Sequence, residues 1–482
     1  MHKWYICNRE SYISSQSMKK SFFTINKLPF LVSVLIIAFI LNSMNNVKQW
    51  HKEEGVINWD VISYYGYLPA VFIYHDYTLK FTENYTGPHK FTIWPSTAPN
   101  GGKVMLTSMG MSVLYSPFFF IAHAAAYIFD YDTGGYSEPY RIGLLLSSVF
   151  FLALGMFFLS KILLKFFNPY ISTWVIILIV LGTNLFYYVT YSSAMTHPYS
   201  FALITMFIWF TIRWYETEKF KYVIGLGLLL GIISLVRPTN IVVGLILLLW
   251  NVKSMSDFTD RIKFLLSKYK FLILMALFSF LVWVPQLLYW KSITGTYFYY
   301  SYGEENKFFF NHPMIIKGLI GYRHGWLIYS PVCIFCVLGM FVLLKRFKEM
   351  FLPVVITFLV FVYVIFSWWC WWYGGAFGMR AMIDLLGLMA LPMAAFFTLT
   401  LEWKKIWRAI AIFISAVLLA AGLHHADKAR HFSSHWDSMT KEAFWDGYLK
   451  RGTSPTFESK LKAPDYEKAR KGIDAYAGEE TK

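Results

Sequence analysis

The sequence predicts an all-α polytopic membrane protein with about eleven transmembrane helices and interfacial helices in two large external loops. Three observations predict it. Of 482 residues, 57% are hydrophobic, 20% aromatic and only 15% charged, more apolar surface than a soluble domain can bury. The apolar residues form runs of the length that crosses a hydrocarbon core. Lys and Arg fall in short clusters between those runs, so the net charge of +16 reads as a topology signal rather than a nucleic-acid footprint.

The first run, 28–44, follows Lys19, Lys20 and Lys27, and no small-residue cleavage site follows it. It reads as a retained signal anchor, with 1–27 as a cytoplasmic N-terminal segment. A first external loop, polar and aromatic, covers 47–140. Spans then follow at 142–166, 170–191, 199–215, 222–236, 241–250 and 271–290. A second external loop covers 291–325. The remaining spans are 326–344, 351–369, 382–401 and 406–423, which closes a transmembrane domain over 28–423. Residues 424–482 read as a polar external tail with one amphipathic stretch at 435–449, otherwise a small cap or a partly disordered end.

The charges support this order. Lys161 and Lys165; Arg213, Lys219 and Lys221; Lys253, Arg261, Lys263, Lys268 and Lys270; Lys345, Arg346 and Lys348; and Lys404, Lys405 and Arg408 all fall inside. The segment 104–129 is also apolar enough to cross, and a crossing there inverts every later orientation. Keeping Lys161 and Lys165 inside favours an interfacial helix interrupted at Pro117. Two further stretches, 60–75 and 311–322, read as interfacial helices; in the first, Val61, Tyr64, Tyr65, Leu68 and Phe72 share a face.

Six cations fall outside, where topology does not ask for them: Lys103, Arg141, Arg237, Lys291, Arg323 and Arg380. Cations without a topological reason are candidates for binding an anion. Asp60 stands just beyond the first span, among tyrosines, and is the candidate general base; an N-cap is its structural alternative. Asp76 is a second acid, about 24 Å from Asp60 along an unbroken helix at ~1.5 Å per residue, so pairing the two requires a break, which Pro69 permits. Lys103 follows the flexible Asn100-Gly101-Gly102, and a snorkelling lysine is the alternative there. His197 opens a span before Pro198, and Arg237 ends one before Pro238. Arg323 and His324 precede Gly325 and a helix start, where backbone N–H groups hold anions. Arg380 has Asp384 four residues later, which a helix turns into a self-neutralising pair. Tyr302, Glu304 and Glu305 are candidates for the acceptor side.

The four cysteines, Cys7, Cys333, Cys336 and Cys370, make no disulfide framework, and the C-x-x-C of Cys333 and Cys336 lies in an apolar run, where packing is the stronger reading. The tail histidines His424, His425, His431 and His435, with Asp427 and Asp437, read as a solvated segment rather than a metal site.

Short motifs carry a family resemblance. They are Asp60-x-x-x-Tyr64-Tyr65-x-x-Leu68 with Asp76; Lys103-Val104-Met105-Leu106-Thr107-Ser108-Met109-Gly110; Thr196-His197-Pro198-Tyr199; Leu235-Val236-Arg237-Pro238; the stretch 321–331 around Arg323-His324-Gly325; and Trp372-Tyr373-Gly374-Gly375-Ala376-Phe377-Gly378-Met379-Arg380. With the two external loops, this layout resembles the GT-C superfamily of integral-membrane glycosyltransferases, in its bacterial branch related to the dolichyl-phosphate-mannose and undecaprenyl-phosphate-sugar enzymes. The resemblance implies transfer of a sugar from a polyprenyl phosphate to a lipid, glycan or protein acceptor, at the outer face of the bacterial inner membrane. Asp60 takes the catalytic part; Asp76, Lys103, His197, Arg237, Arg323, His324 and Arg380 bind substrate. Many relatives carry Asp-Glu where this chain has Asp60-Val61, so a divalent metal stays open as a cofactor.

The chemistry asks for the same residues. An acceptor hydroxyl needs a carboxylate to take its proton, and a departing lipid phosphate needs fixed positive charge. Two alternatives stay open: an O-antigen ligase or polymerase, centred on Arg323 and His324, and a transporter or flippase for a lipid-linked sugar.

Overall fold

The computed structural model describes residues 25–85, 93–446, 448–449 and 451–475; Cys7 and most of the N-terminal segment lie outside these. Helix α1 (Leu28–Val47) opens with Pro29, whose missing N–H costs nothing at a helix start, and ends at Lys48 in the left-handed region. It buries Ser33, Ile36, Ile40 and Met44 while Leu31, Val34, Leu35 and Phe39 stay exposed. A helix apolar all round with one packed face is built to meet both protein and lipid.

The first loop folds as two short helices, α2 (Asp60–Tyr65) and α3 (Tyr67–Phe72), then α4 (Phe81–Asn84) and a hairpin of β1 (Pro95–Thr97) and β2 (Lys103–Met105). The hairpin pairs Pro95 with Met105 and turns through Gly101 at φ 83°, a conformation glycine adopts without strain. Next comes α5 (Gly110–Ile128), then the long α6 (Glu138–Phe166).

Further along lie α7 (Pro169–Leu181), α8 (Leu185–Thr190), α9 (Thr196–Thr217) and α10 (Phe220–Val236). A 3₁₀ turn, Pro238–Val243, leads into α11 (Gly244–Leu249), followed by α12 (Met255–Ser267) and α13 (Tyr269–Thr294). The second loop holds α14 (Ile315–Ile320). Then α15 (Trp326–Tyr329), a 3₁₀ turn at Pro331–Cys333, α16 (Ile334–Arg346) and α17 (Lys348–Phe366) follow. A 3₁₀ helix, Arg380–Leu385, continues into α18 (Leu386–Thr400), then α19 (Lys405–Arg430), and the tail carries α20 (Lys441–Trp445) and α21 (Tyr466–Arg470).

Among the described residues seven helices are long and apolar enough to cross a membrane: α1, α5, α6, α13, α17, α19 and the unit of the Arg380–Leu385 turn with α18. This is the build of a membrane-embedded all-α protein. The Arg380–Thr400 unit is its centre, with nearly every residue of its apolar window packed, whereas α13 and α19 leave most of theirs open at the periphery.

Helix α5 has the length of a span, but its contacts keep it on one half of the bundle. Its start meets the last turn of α10, where Ser108 Oγ donates to the Leu235 carbonyl and the Met109 amide to Gln286 Oε1 (2.7 Å). Its second half runs beside the first half of α6, with Phe118 against Phe150 and His123 against Tyr140. Its first residues therefore lie by the last turn of α10 and its second half approaches the start of α6. The Pro117 interruption expected from sequence does not occur; Pro117 sits inside a continuous helix.

The tail differs from the expectation. Helix α19 runs to Arg430, beyond 423, and the stretch 435–449 forms a loop and the single turn of α20 rather than one amphipathic helix. Other described parts of the tail lie folded on the bundle: the Ala376 amide donates to the Trp436 carbonyl (3.2 Å), and the Tyr466 ring packs on Trp372 and Trp369.

Candidate functional site

Four segments meet at the end of the bundle where α2 lies. The first is Asp60, which opens α2. Trp59 before it sits at φ 45°, ψ −126°, a strained backbone for so bulky a residue, and its indole stays 74% exposed beside Trp94. The second is Arg380, which starts the 3₁₀ helix after Gly378. That glycine holds φ 59° and lies so close to Tyr329 that a Cβ would stand 2.8 Å from the tyrosine's own. Arg380 Nη1 lies 3.1 Å from Asp60 Oδ2.

The third is Arg237, the cap of α10. Pro238 excludes the helical conformation for the residue before it, so α10 stops and Arg237 turns extended. Its Nη1 donates to Asp384 Oδ2 (3.1 Å), and its guanidinium faces the Tyr373 ring at 5.6 Å. The fourth is His197, in the first turn of α9, with Nδ1 3.0 Å from Asp384 Oδ1. Asn240 Nδ2 donates to Asp384 Oδ2 as well (2.9 Å). The buried Asp384 thus accepts from three partners.

This corrects the pairing expected from sequence. Arg380 and Asp384 do not neutralise each other, because they share a 3₁₀ helix. At ~3 residues per turn, residues four apart point about 120° away from one another. Arg380 goes to Asp60, and Asp384 goes to Arg237 and His197.

Tyrosines line the rest. Burial pushes the Tyr302 hydroxyl up to about 12, Asp60 adds to the rise, and Arg237 and Arg380 oppose it. Tyr302 is also 40% exposed. Tyr64, one turn after Asp60, is raised by burial first and by Asp60 next. Tyr373 stands at φ 62°, a second strained non-glycine residue at the site. What the arrangement can do follows: a partly exposed carboxylate, two guanidinium groups and tyrosine hydroxyls stand together, able to take a proton and hold an anion.

The remaining candidates lie elsewhere. Asp76 caps the turn into α4, accepting from the Thr78 and Phe81 amides (2.9 Å each). Burial works against ionisation there, but the hydrogen bonds from Thr78 and Phe81 outweigh it and hold the carboxyl below its ordinary range. Lys103, on β2, pairs with Glu83 (2.9 Å) in the same loop. Arg323 donates to the Asp437 and Lys462 carbonyls, tying the tail down. The anion-holding helix start expected after it is absent, since α15 has four residues. His324 Nδ1 donates to the Trp372 carbonyl (2.6 Å). Burial pushes its imidazole down to about 4 and the Arg323 and Arg380 charges push the same way, against the Trp372 carbonyl. Arg141 and Lys291 are spent on carbonyls, of Trp50 and Tyr136 for the first and Gly295 for the second.

Among the described residues no three His, Cys, Asp or Glu side chains come together as metal ligands. In the tail, His424 and His425 turn to Tyr448, and His431 to Asp427. Cys333, Cys336 and Cys370 are buried free thiols. Sequence reasoning missed Asn240 and misassigned Asp384. A signal existed, since an acid inside a strongly apolar span points to function by default. No protein-family model matches this chain, and no curated protein is similar enough to match it.

Proposed function

We propose that this chain is a membrane glycosyltransferase. It moves a sugar from a polyprenyl-phosphate donor to an acceptor at the extracytoplasmic face of a bacterial inner membrane. In this reading six of the seven long helices, all but α5, cross, and α7 with α8, α9, α10, α11 and α15 with α16 bring the crossings to about eleven. The N-terminus lies in the cytoplasm and the chamber opens outward, which puts Lys161, Lys165, Arg213 and the other clustered cations inside.

One observation carries the proposal: the partly exposed Asp60 pairs with Arg380, and both stand near Arg237 and the Tyr302 hydroxyl, which the reading takes as the lining of one chamber. Asp60 takes the proton from the acceptor hydroxyl as the glycosidic bond forms. Arg237 and Arg380 stabilise the negative charge that gathers on the departing lipid phosphate. His197 belongs to the same subsite through Asp384. Lys103, Asp76 and Arg323 serve the loop and the tail. A ligase-type site built on Arg323 and His324 has less support, because the Arg323 guanidinium is committed to tail carbonyls.

Mass spectrometry of envelope glycolipids and glycoproteins from cells lacking the chain tests this. The expected result is the loss of one sugar from one acceptor class, with the unmodified acceptor accumulating outside. An unchanged envelope removes the glycosyltransferase reading. Accumulation of a lipid-linked sugar on the cytoplasmic side favours the flippase instead.

A further inference from the structure

Two acid–arginine pairs share the chamber and are built differently. Asp384 is fully buried and held by Arg237, Asn240 and His197, while the Arg237 guanidinium is also stacked on Tyr373. Asp60 keeps 42% of its side chain exposed, and among the described residues Arg380 alone holds its carboxylate. One pair is fixed from several directions; the other hangs on one contact at the edge of the cavity. The charges of the site also balance, two acids against two arginines. Yet the proposed reaction asks Arg380 to face a phosphate and Asp60 to meet an acceptor hydroxyl, and while the two hold each other neither can do so.

We propose that Arg380 is an exchangeable partner. The phosphate of an incoming polyprenyl-phosphate headgroup takes its guanidinium, and Asp60 is released as a free carboxylate only once that headgroup is seated. Asp384 is then a positioning residue that fixes Arg237 as the permanent arm of the same anion subsite. The inference rests on the glycosyltransferase reading and adds an order to it: donor first, acceptor second.

The test is binding of polyprenyl monophosphate, carrying no sugar, to the full-length protein in lipid nanodiscs. Asp60→Asn removes the competitor for Arg380 and should bind the probe roughly fivefold tighter than the natural protein, in the range set by one partly exposed ion pair. Arg380→Gln should bind at least roughly tenfold weaker, and Asp60→Asn combined with Arg380→Gln should match Arg380→Gln alone. Asp384→Asn should weaken binding through Arg237, and Arg380→Lys, which keeps the charge, should restore most of the affinity lost in Arg380→Gln. Thermal melting of each variant separates loss of the site from loss of the fold. If Asp60→Asn binds no tighter while Arg380→Gln binds weaker, the exchange is wrong and the anion subsite stands. If Arg380→Gln and Asp384→Asn both bind like the natural protein, no phosphate subsite exists and the functional reading falls with the exchange.

Discussion

The two ends of the helix bundle hold the same kinds of cation and treat them differently. Away from the chamber, Lys165 and Arg213 share Glu216, Lys268 pairs with Glu218, and Arg346 with Glu402. These pairs lie at helix ends and in short connections, reach solvent, and contribute little to stability. At the chamber, Arg237 and Arg380 find their acids only because the fold brings α2, α9, α10 and the Arg380–Leu385 turn together. The Arg237–Asp384 pair, with its acid fully buried, gives back little of its desolvation cost as stability. Under the proposed topology the cations at the far end need no further reason, and Lys103, Arg141, Lys291 and Arg323 have local partners; Arg237 and Arg380 are the ones that ask for a functional reason.

The sharpest way to break that contrast is to mutate both ends. Asp60→Asn should lower sugar transfer by about 10²–10⁴-fold, the usual worth of a general base, with expression and fold retained. Arg346→Ala, at the far end, should leave transfer unchanged. Equal losses from both would erase the distinction.

The next largest effect is on stability. Asp384→Ala leaves the Arg237 charge buried without its acid and should cost about 3–5 kcal/mol, read as a fall in melting temperature. Asp384→Leu combined with Arg237→Met should recover much of that loss while still abolishing transfer. Recovery of stability without activity marks a pair kept for function.

Acid provides a third test. The folded His324 titrates near 4, below the ordinary histidine value of about 6.5. The unfolded chain therefore binds the extra proton first. The contribution of neutral His324 is full above about 6.5 and is lost as the pH falls toward 4, by about 3 kcal/mol. His324→Gln should flatten the melting-temperature profile across that window.

The smallest effect sharpens the role of strain. Trp59→Gly should relieve the φ 45° backbone and raise stability by about 1 kcal/mol, since the exposed indole packs on little besides Trp94. Transfer should fall if that strain aims Asp60, and stay level if it does not.

Much of the frame was legible because hydrophobic runs and charge clusters obey strong local rules. The 28–44, 142–166 and 271–290 runs all lie within α1, α6 and α13, and Asp60, Arg237, His197 and Arg380 do converge. The pairing was not legible. Arg380 and Asp384 read as neighbours on an α-helix face, and the 3₁₀ geometry that separates them leaves no mark in composition. The folded tail was hidden for a related reason: Arg323 holds it by carbonyl oxygens, which every residue has. Lys103 and Asp76 carried the right charge and position, yet Glu83 and the Thr78–Phe81 turn use them locally.

The most direct measurement returns the natural chain, or its Asp60→Asn variant, to cells that lack it and follows by mass spectrometry the sugar missing from the envelope. A chamber in which Asp60 takes the acceptor proton predicts that the natural chain restores that sugar and the variant, present at equal level in the membrane, does not. Full restoration by Asp60→Asn would contradict it.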